Sequence, residues 1–280
     1  MRFFCLRVLL GASAATDKLQ ETRIGTERMT MERNALVTGA ARRIGEAIAL
    51  ALAGEGFGVA LHASARSAGE AQALARKIAD KGGRACVVIG DLAVARDVAG
   101  LLPQARAALG DIDILVNNAS LYEPDTAGAF DPVFFDRMMA INLRAPLQLA
   151  ADLSAHLPAG REGAIVNIAD QKVWRLNPRY FSYTLSKSTL WTATQTLAQA
   201  FAPRIRVNAV GPGPVLPNHV EGVEGFAREA AAVPLGHAVA LGEIVAAVLF
   251  LVHARSVTGQ MIAVDAGQHL AWKTPDVSDD

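Results

Sequence analysis

Short apolar runs rich in β-branched residues alternate with longer stretches rich in alanine and leucine from residue 34 onward. Most runs lack polar alternation, which is typical of strands that helices cover on both faces. Alternating strands and helices predict a parallel sheet. We therefore expect an α/β fold, a single-domain doubly wound sheet of about seven strands with helices on both faces. The strands are expected at Ala35–Thr38, Gly58–His62, Ala85–Ile89, Ile112–Asn117, Ala164–Ile168, Arg204–Ala209 and Met261–Val264.

Stretches with helical spacing of their apolar residues lie between these runs. They are Arg43–Ala53, Gly69–Asp80, Val94–Leu109 and Leu185–Ala200, with a further long helix around Asp136–Leu153. No internal repeat, charge block or linker divides the chain after residue 33, so one domain is expected over residues 34–280. In such sheets ligands bind beyond the carboxyl ends of the strands, where we expect the functional site.

The first part of the chain, residues 1–33, differs in character from the rest. Its apolar run from Phe3 to Ala15 resembles a secretory signal only faintly, because Arg7 interrupts it. The run is also shorter than the ~20 apolar residues that span a bilayer. Met29 and Met31 directly precede the first predicted strand, so translation is able to begin there. We expect an extension outside the folded domain, either disordered or due to an upstream start, over the alternative of a working export signal.

The composition argues against several classes of protein. Lys plus Arg and Asp plus Glu each total 27, so the formal net charge of the 280 residues is zero. A neutral balance gives no support to nucleic-acid or anionic-membrane binding. The chain has only two cysteines, far apart, and its six histidines show no metal-ligand spacing. A cytoplasmic enzyme that acts on a small molecule, without a metal, is expected.

The first predicted strand runs into the sequence Thr-Gly-Ala-Ala-Arg-Arg-Ile-Gly, residues 38–45, which opens a helix. Gly39 permits a tight turn, and Gly45 permits close packing of the helix on the sheet. The helix N-terminus then presents free backbone N–H groups to a pyrophosphate. A loop with few glycines also serves as a plain turn, but the strand before it and the helix after it favour dinucleotide binding.

The end of the second predicted strand distinguishes between the two nicotinamide dinucleotides. A site for NAD usually has an acidic residue there, which bonds the ribose 2′-hydroxyl. Here no acid precedes Glu70, and Arg66 and Ser67 offer a guanidinium and a hydroxyl to a 2′-phosphate. NADPH is therefore the expected cofactor, with a solvated Arg66 at the start of the next helix as the alternative.

Three further motifs follow in order along the chain. Asn117-Asn118-Ala119 ends the fourth predicted strand, Tyr183 and Lys187 form a Tyr-x-x-x-Lys pair, and Gly211-Pro212-Gly213 follows the sixth strand. Together with the glycine loop, their order and spacing resemble those of the short-chain dehydrogenases/reductases, over about residues 34–269. The resemblance implies a Rossmann-like oxidoreductase with a nicotinamide cofactor and, by analogy with family members, a homotetramer.

Two positions depart from the commonest pattern of that family. Arg43 stands where the loop usually has its central glycine, and Asp170 stands where the catalytic serine usually follows the fifth strand. Both departures resemble pteridine reductases and the related bacterial dihydromonapterin (dihydrofolate) reductases. That resemblance implies that Ser120, Tyr122 and Tyr180 bind the substrate, with the ring of Tyr122 stacked on the pterin.

The resemblance also implies roles that the motifs alone do not define. Asn142 holds a water in a proton relay, whereas an asparagine in an apolar helix is, by itself, more often structural. Lys187 bonds the nicotinamide ribose, and Asp91 accepts from the adenine amino group. Arg43 faces either the substrate or the cofactor phosphates. The expected cofactor-binding residues are Gly39, Arg43, Ile44, Gly45, Arg66, Ser67, Asp91, Leu92, Asn118, Ala119, Lys187, Pro212, Gly213 and Val215.

Tyr183 and Lys187 are four residues apart, so on a helix their side chains share one face. A tyrosine with a pKa of ~10 is a poor acid–base group at neutral pH. A nearby ammonium and an oxidised nicotinamide both favour the phenolate, so we expect a lowered pKa for Tyr183. Asp170 is expected to join Tyr183 in giving a proton to a ring nitrogen. The alternative is that Asp170 only pairs with Lys172 or Arg175 at the rim.

Three functions remain open from the sequence. The first is an NADPH-dependent reductase of a pterin or dihydrofolate-like ring, with Asp170, Tyr183, Lys187 and Asn142 as catalytic residues. The second is a short-chain reductase of a carbonyl substrate such as a 3-oxoacyl thioester, against which Asp170 and Arg43 argue. The third is a non-catalytic nucleotide-binding regulator, against which the Tyr-x-x-x-Lys pair argues. Residues 214–235, the expected lid, carry few marks that would identify the substrate.

Overall fold

The computed structural model of this chain describes residues 32–272, so the expectation for residues 1–33 lies almost wholly outside the described residues. The strands are β1 (Asn34–Val37), β2 (Gly58–Ala63), β3 (Ala85–Ile89), β4 (Ile114–Asn117), β5 (Gly163–Ile168), β6 (Ile205–Pro212) and β7 (Met261–Val264). They form one parallel sheet in the order β3-β2-β1-β4-β5-β6-β7. The winding therefore reverses between β1 and β4, which confirms the predicted doubly wound fold.

Helices cover both faces of the sheet. They are α1 (Arg43–Gly54), α2 (Ala68–Ala79), α3 (Ala95–Leu109), α4 (Pro132–Met139), α5 (Ala145–His156), α6 (Phe181–Phe201), α7 (Gly222–Ala232) and α8 (Leu241–His253). One core cluster joins the sheet to α1, α2 and α8, and a second joins it to α3, α5 and α6. Over the part of the chain that is described, no helix is both long and apolar enough to cross a membrane.

The central strand β1 shows why the strands are apolar without alternation. Ala35 and Val37 pack into the cluster that contains α1 and α8, whereas Leu36 packs into the cluster that contains α3 and α5. All three side chains are fully buried. Burying one leucine or valine contributes about 1.5–3 kcal/mol, so both faces of the strand contribute to stability.

The long helix expected around Asp136–Leu153 is interrupted. A π-helical turn, Ala140–Arg144, separates α4 from α5. Pro146 explains part of this break, because it has no N–H to donate to the carbonyl of Asn142, its α-helical partner four residues earlier. Asn142 lies within this irregular turn, and its side chain bonds Leu121 and Ser186.

Helix α6 begins at Phe181, four residues before the expected start at Leu185. The carboxylate of Asp125, from the loop after β4, accepts a hydrogen bond of 2.9 Å from the backbone N–H of Ser182. This long-range cap satisfies an N–H in the first turn, which an isolated helix would leave free. Because the helix begins at Phe181, Tyr183 lies in its first turn, on the same helix as Lys187.

Candidate active site

The predicted site residues lie on the loops at the carboxyl ends of the strands and at the start of α6, as the fold requires. After the first three strands lie Gly39 to Gly45 (β1), Arg66 and Ser67 (β2), and Asp91 and Leu92 (β3). After the next three lie Asn118 to Tyr122 (β4), Asp170 (β5), and the segment from Pro212, the last residue of β6, to Val215. Helix α6 opens with the segment from Phe181 to Lys187, and Tyr180 directly precedes it. The structure therefore brings the motifs to one edge of the sheet. Among the described residues, no group of three or more His, Cys, Asp or Glu side chains is placed to hold a metal ion.

The glycine loop after β1 is tied to the end of β4. Gly39 has a φ of +62°, and a Cβ atom on Gly45 would meet the carbonyl oxygen of Gly39 and lie 2.6 Å from Asn118 Nδ2. The side-chain amide of Asn118 donates to the carbonyl oxygens of Thr38 at 2.8 Å and Gly39 at 3.2 Å. Asn118 thus shapes the loop that would approach a dinucleotide.

The ring of His62, one of the six histidines without metal-ligand spacing, supports the same loop. The backbone N–H of Gly39 donates to His62 Nδ1 at 3.1 Å, so Nε2 carries the proton and donates to the carbonyl oxygen of Gly90 at 3.2 Å. Burial lowers the pKa of His62, because desolvation disfavours the charged ring. A neutral histidine therefore connects β1, β2 and β3, and its place at the end of β2 was the only signal in the sequence.

Arg43 makes a contact that neither of its two predicted roles describes. Its backbone lies in the left-handed region, with a φ of +58°, which costs of order 1–3 kcal/mol for a residue other than glycine. The guanidinium donates to the carbonyl oxygens of Pro217 at 2.7 Å and Leu216 at 3.4 Å. Arg43 therefore joins the loop after β1 to residues 214–235, which we call the lid.

The residues expected at the adenine end lie after β2 and β3. Arg66 and Ser67 form a short 3-10 turn with Ala65, and the Arg66 side chain is exposed. Ser64, which the sequence analysis did not select, lies beside them, with its hydroxyl 3.3 Å from that of Ser67. The exposed Asp91 accepts a hydrogen bond of 2.9 Å from the backbone N–H of Ala93.

The side chains of Asp170 and Tyr183 meet directly. The Tyr183 hydroxyl donates to Asp170 Oδ2 at 2.8 Å, and the backbone N–H of Lys172 donates to Asp170 Oδ1 at 2.8 Å. The Lys172 ammonium is 3.7 Å from the same Oδ1. Asp170 therefore contacts both its predicted catalytic partner and its predicted rim partner.

The pKa of Tyr183 is raised well above its ordinary value, which corrects the expectation that it is lowered. The first cause is burial, since the ring is almost completely enclosed, and the second is the negative charge of Asp170. The expectation of a lowered pKa rested on a nearby ammonium and an oxidised nicotinamide, and it left out the carboxylate of Asp170. Tyr183 is a neutral phenol in this structure, which is the state that gives a proton.

Lys187 is buried beneath Tyr183. Its Nζ donates to the carbonyl oxygen of Ile168 at 2.8 Å and lies 5.7 Å from the centroid of the Tyr183 ring. Burial lowers the pKa of Lys187 to about 8, while the negative charge of Asp170 acts in the opposite direction. The side chain is therefore mainly charged at neutral pH.

Aromatic rings form one wall of the site. The rings of Tyr122 and Tyr180 stack with centroids 4.6 Å apart and planes 15° apart. The ring of Tyr183 meets Tyr122 edge-on, with centroids 4.8 Å apart. Such pairs contribute about 0.5–1.5 kcal/mol beyond their burial. One face of Tyr122, which the family resemblance assigns to the substrate, is thus already covered by Tyr180.

The side-chain amide of Asn142 is engaged at both ends. Its oxygen accepts from the backbone N–H of Leu121 at 2.8 Å, and its nitrogen donates to the carbonyl oxygen of Leu121 at 2.9 Å and the hydroxyl of Ser186 at 3.1 Å. The hydroxyl of Ser120 also lies 3.3 Å from the Asn142 oxygen. Asn142 thereby fixes the segment that carries Ser120 and Tyr122.

One contact connects the lid to the aromatic wall, and a second connects it to the loop that carries Tyr122. The hydroxyl of the buried Tyr180 donates to Glu221 Oε1 at 3.0 Å, and His219 pairs with Glu123 at 3.0 Å. Neither acidic partner was selected from the sequence. The carboxylate of Glu221 lies 41 residues beyond Tyr180, and no local pattern indicates such a pair.

Gly213 lies where β6 leaves the sheet toward the lid. A Cβ atom at this position would lie 2.6 Å from the Cα of Asp265, just after β7. Pro212, Gly213 and Val215 are among the residues expected to bind the cofactor, which requires the backbone to approach it closely. The structure shows a further reason for glycine here, because the chain after β7 also approaches closely.

Comparisons with known proteins identify the family to which the chain belongs. A family model described as enoyl-(acyl carrier protein) reductase matches residues 39–269. The structure of FolM alternative dihydrofolate reductase 1 from Brucella canis, solved with NADP, has 52% sequence identity and a TM-score of 0.85, over 89% of this chain and 98% of that chain. An uncharacterized oxidoreductase of Methylorubrum extorquens is 36% identical over 241 residues, 83% of this chain and 96% of its own length. The 3-oxoacyl-[acyl-carrier-protein] reductase FabG of Staphylococcus aureus is 30% identical over 247 residues, 86% of this chain and all of its own length (100%).

The fold and the strand-end loops define an oxidoreductase of the dinucleotide-binding α/β class. The chain belongs to the short-chain dehydrogenase/reductase family, which confirms the prediction from the motifs. Within it, the 52% identity to the FolM structure is well above the 30% identity to FabG.

Proposed function

We propose that this protein is an NADPH-dependent reductase that transfers a hydride to a pterin or dihydrofolate-like ring. The observation that carries the proposal is the 2.8 Å hydrogen bond from the Tyr183 hydroxyl to Asp170, beside the stacked rings of Tyr122 and Tyr180. A carboxyl group is able to relay a proton to a ring nitrogen, which a serine hydroxyl does poorly. The likeness to the FolM alternative dihydrofolate reductase solved with NADP supports the same cofactor and substrate class.

The residues at the strand ends fit NADPH. Gly39 and Gly45 allow close approach of a pyrophosphate, and the N-terminus of α1 supplies backbone donors. The exposed guanidinium of Arg66, beside the hydroxyls of Ser64 and Ser67, suits a 2′-phosphate. The other residues that we assign to the cofactor are Arg43, Ile44, Asp91, Leu92, Asn118, Ala119, Lys187, Pro212, Gly213 and Val215.

The proton chemistry rests on residues of this chain. When bound, NADPH supplies a hydride to the carbon of a C=N bond in the substrate ring. The adjacent ring nitrogen, which is far more basic than a phenolate, takes the proton of the Tyr183 hydroxyl. Asp170, with a side chain 14% exposed, passes a replacement proton from solvent to Tyr183. The nearby ammonium of Lys187 offsets the negative charge while Tyr183 is a phenolate.

We assign substrate binding to Ser120, Tyr122 and Tyr180. The stacked pair of tyrosines offers a flat aromatic wall for a planar ring, which would lie against Tyr122, the more exposed of the two. The hydroxyl of Ser120 is exposed at the edge of this wall. A flat acceptor is better matched to this shape than a flexible acyl chain.

Asn142 contributes to the relay through its backbone and not its side chain. Both ends of the side-chain amide already have protein partners. The carbonyl oxygen of Asn142 lacks an α-helical donor, because residue 146 is proline. That oxygen is therefore suited to hold a water molecule between the site and solvent.

The test is NADPH oxidation by the purified protein with a dihydropterin, dihydrofolate and a 3-oxoacyl thioester. We expect turnover on the first two, and Asp170→Asn is expected to lower kcat by about 100-fold or more. The affinity for NADPH stays unchanged in this variant. Asp80→Asn, an exposed position at the end of α2, is the matched control and keeps wild-type turnover.

Two outcomes contradict the proposal in different ways. Unchanged turnover in Asp170→Asn removes Asp170 from the mechanism while leaving the substrate class in place. Turnover on the oxoacyl thioester alone favours the second candidate, a carbonyl reductase, for which the 30% identity to FabG is the supporting observation.

We infer from the family resemblance that the protein is a homotetramer and works in the cytoplasm. Exposed apolar side chains on two helices, Val133 on α4 and Phe250 on α8, support association. Light scattering during size-exclusion chromatography tests the assembly, and four times the mass of one chain is expected. A monomeric mass that persists at high protein concentration rejects it.

A further inference from the structure

The ammonium group of Lys172 lies beside the proposed hydride site. Lys172 follows β5 in the short 3-10 turn Gln171–Val173, and its side chain is only 10% exposed. Its Nζ lies 5.4 Å from the centroid of the Tyr122 ring and 5.7 Å from that of Tyr180. It is 3.7 Å from Asp170 Oδ1. The residue therefore places a positive charge at the junction of the aromatic wall and the proton-donating pair.

This ammonium has unused hydrogen-bonding capacity. A lysine offers three N–H donors, and the distance of 3.7 Å to Asp170 is too long for a hydrogen bond. Within residues 32–272, no acceptor lies within hydrogen-bond distance of its Nζ. The tyrosine faces compensate only part of the cost of burial, since a cation–π contact contributes about 0.5–2 kcal/mol. Burying a charged group whose N–H donors lack acceptors costs free energy, and a ligand that supplies an acceptor would reduce that cost.

Orientation of Asp170 does not explain the position of this ammonium. One oxygen of that carboxylate is already held by the backbone N–H of Lys172, and the other by the hydroxyl of Tyr183. Both bonds remain if the Lys172 side chain is replaced. The ammonium is thus free to serve a group that lies against the wall.

We propose that Lys172 binds the substrate directly, donating a hydrogen bond to an oxo oxygen on a planar heteroaromatic ring. The inference rests on the proposed function, because it takes the ring to lie on the wall formed by Tyr122 and Tyr180. It adds selectivity to that function. The oxo oxygen of such a ring accepts a hydrogen bond from the Lys172 ammonium, whereas an amino group at the same position offers N–H donors and leaves the ammonium without an acceptor. Such a mismatch of polar groups produces strong rejection of the wrong ring.

The test compares two ring systems and two variants. Binding of pterin and of 2,4-diaminopteridine is measured by fluorescence titration in the presence of NADP⁺, for the wild-type protein, Lys172→Met and Lys172→Arg. Wild type is expected to bind pterin at least tenfold more tightly than the diamino ring. Lys172→Met, similar in length but neutral, loses about tenfold in pterin affinity and most of this preference. Lys172→Arg keeps the preference.

Steady-state kinetics separates substrate binding from an effect through Asp170. With a dihydropterin, Lys172→Met is expected to raise KM about tenfold with kcat within threefold of wild type. A reduced kcat and an altered pH–rate profile with an unchanged KM would mean that Lys172 acts on Asp170, and would overturn the inference. Equal affinity of wild type for the two rings also overturns it, without depending on the folding of any variant.

The proposed function fails in a different way. In that case the wild-type protein neither binds pterin nor turns over a dihydropterin, and the inference about Lys172 falls with it. If wild type does both and only the ring preference or the effect of Lys172→Met is missing, the proposed function stands and the inference alone is rejected.

Discussion

The two halves of the site are held together by different kinds of bond. The cofactor half consists of the loops after β1, β2 and β3 and of Asn118 and Ala119 after β4, and side chains there bond mainly to backbone groups, as those of Asn118 and His62 do. The substrate half consists of the segment from Ser120 to Tyr122, the segment from Asp170 to the start of α6, and the lid. Its bonds join side chain to side chain, as from Tyr183 to Asp170 and from Tyr180 to Glu221.

This difference has a physical consequence for what each half tolerates. A loop defined by backbone positions depends on the absence of side-chain atoms, so that one added methyl group disrupts it. A cluster of charged and phenolic side chains depends on protonation states, so that pH and single polar substitutions alter it. We therefore expect the cofactor half to be disrupted by substitutions that enlarge a side chain, and the substrate half by changes of charge.

The largest effect expected in the cofactor half comes from Gly45→Ala. The new Cβ atom would meet the carbonyl oxygen of Gly39 and the amide of Asn118, so α1 has to move away from the loop. We expect about a 100-fold loss of NADPH affinity, measured by fluorescence titration. Gly54→Ala, in the same helix with nothing within 4 Å of its added Cβ, is the matched control. Equal affinity of the two variants for NADPH would show that the loop has room for a Cβ atom at Gly45 and would contradict the prediction.

The next effect is a loss of activity at alkaline pH that arises in the substrate half. Lys187 has a pKa lowered to about 8, so it is charged below that pH and neutral above it. Losing the ammonium removes the charge that offsets a Tyr183 phenolate, and kcat should fall about tenfold per pH unit above this value. In Lys187→Arg the guanidinium stays charged, so the alkaline limb should move upward. A limb at the same pH in both proteins assigns it to another group.

The cofactor half should instead weaken at acid pH. Burial lowers the pKa of His62, so below pH ~6.5 the unfolded chain binds a proton that the folded chain resists, and stability falls as pH falls. Protonation would also remove the acceptor of the Gly39 N–H. His62→Leu should weaken NADPH binding about tenfold at pH 7.5.

His62→Asn is the matched variant for this prediction, because its side-chain oxygen is attached to Cγ as Nδ1 is. It should retain most of the affinity for NADPH and lose part of the acid sensitivity. Thermal melting at pH 7.5 and pH 5.5 compares the wild type with this variant. An identical decrease in Tm for both proteins would assign the acid sensitivity to groups other than His62.

The smallest effect is expected where the lid meets the aromatic wall. Glu221→Ala removes the acceptor of the Tyr180 hydroxyl, a single hydrogen bond of 3.0 Å. One such bond contributes about 1 kcal/mol, so KM for a dihydropterin should rise about fivefold with kcat unchanged. Glu221→Gln keeps an oxygen at this place and should behave like wild type. If Gln raises KM as much as Ala does, the charge of Glu221 and not the bond is what matters.

The fold was largely predictable from the sequence, because each buried strand is a short apolar run and each loop motif follows one. The limits of two strands, β4 and β6, were wrong by more than one residue. Ile112 is buried like a strand residue but lies before the ladder of β4, and Gly211-Pro212 looks like a turn although both residues pair with β7. Pairing depends on the neighbouring strand, which a local pattern does not contain.

The features of the cofactor half were easier to predict from the sequence than those of the substrate half. Gly39 and Gly45 were predictable since a local motif encodes the backbone turn that requires them. The pairing of Tyr180 with Glu221 and the raised pKa of Tyr183 were not, because they depend on residues distant in the chain. The reach of Arg43 to Pro217, 174 residues away, was unpredictable for the same reason.

Arg43 belongs to both halves at once, since it sits in the loop after β1 and holds two carbonyl groups of the lid. A residue that contacts both halves is placed to couple binding in one half to binding in the other, and any such coupling is reciprocal. If a bound dinucleotide changes the affinity for a second ligand through Arg43, that ligand changes the affinity for the dinucleotide by the same factor. A glycine at position 43 would lack both contacts with the lid, so Arg43→Gly is expected to remove this coupling.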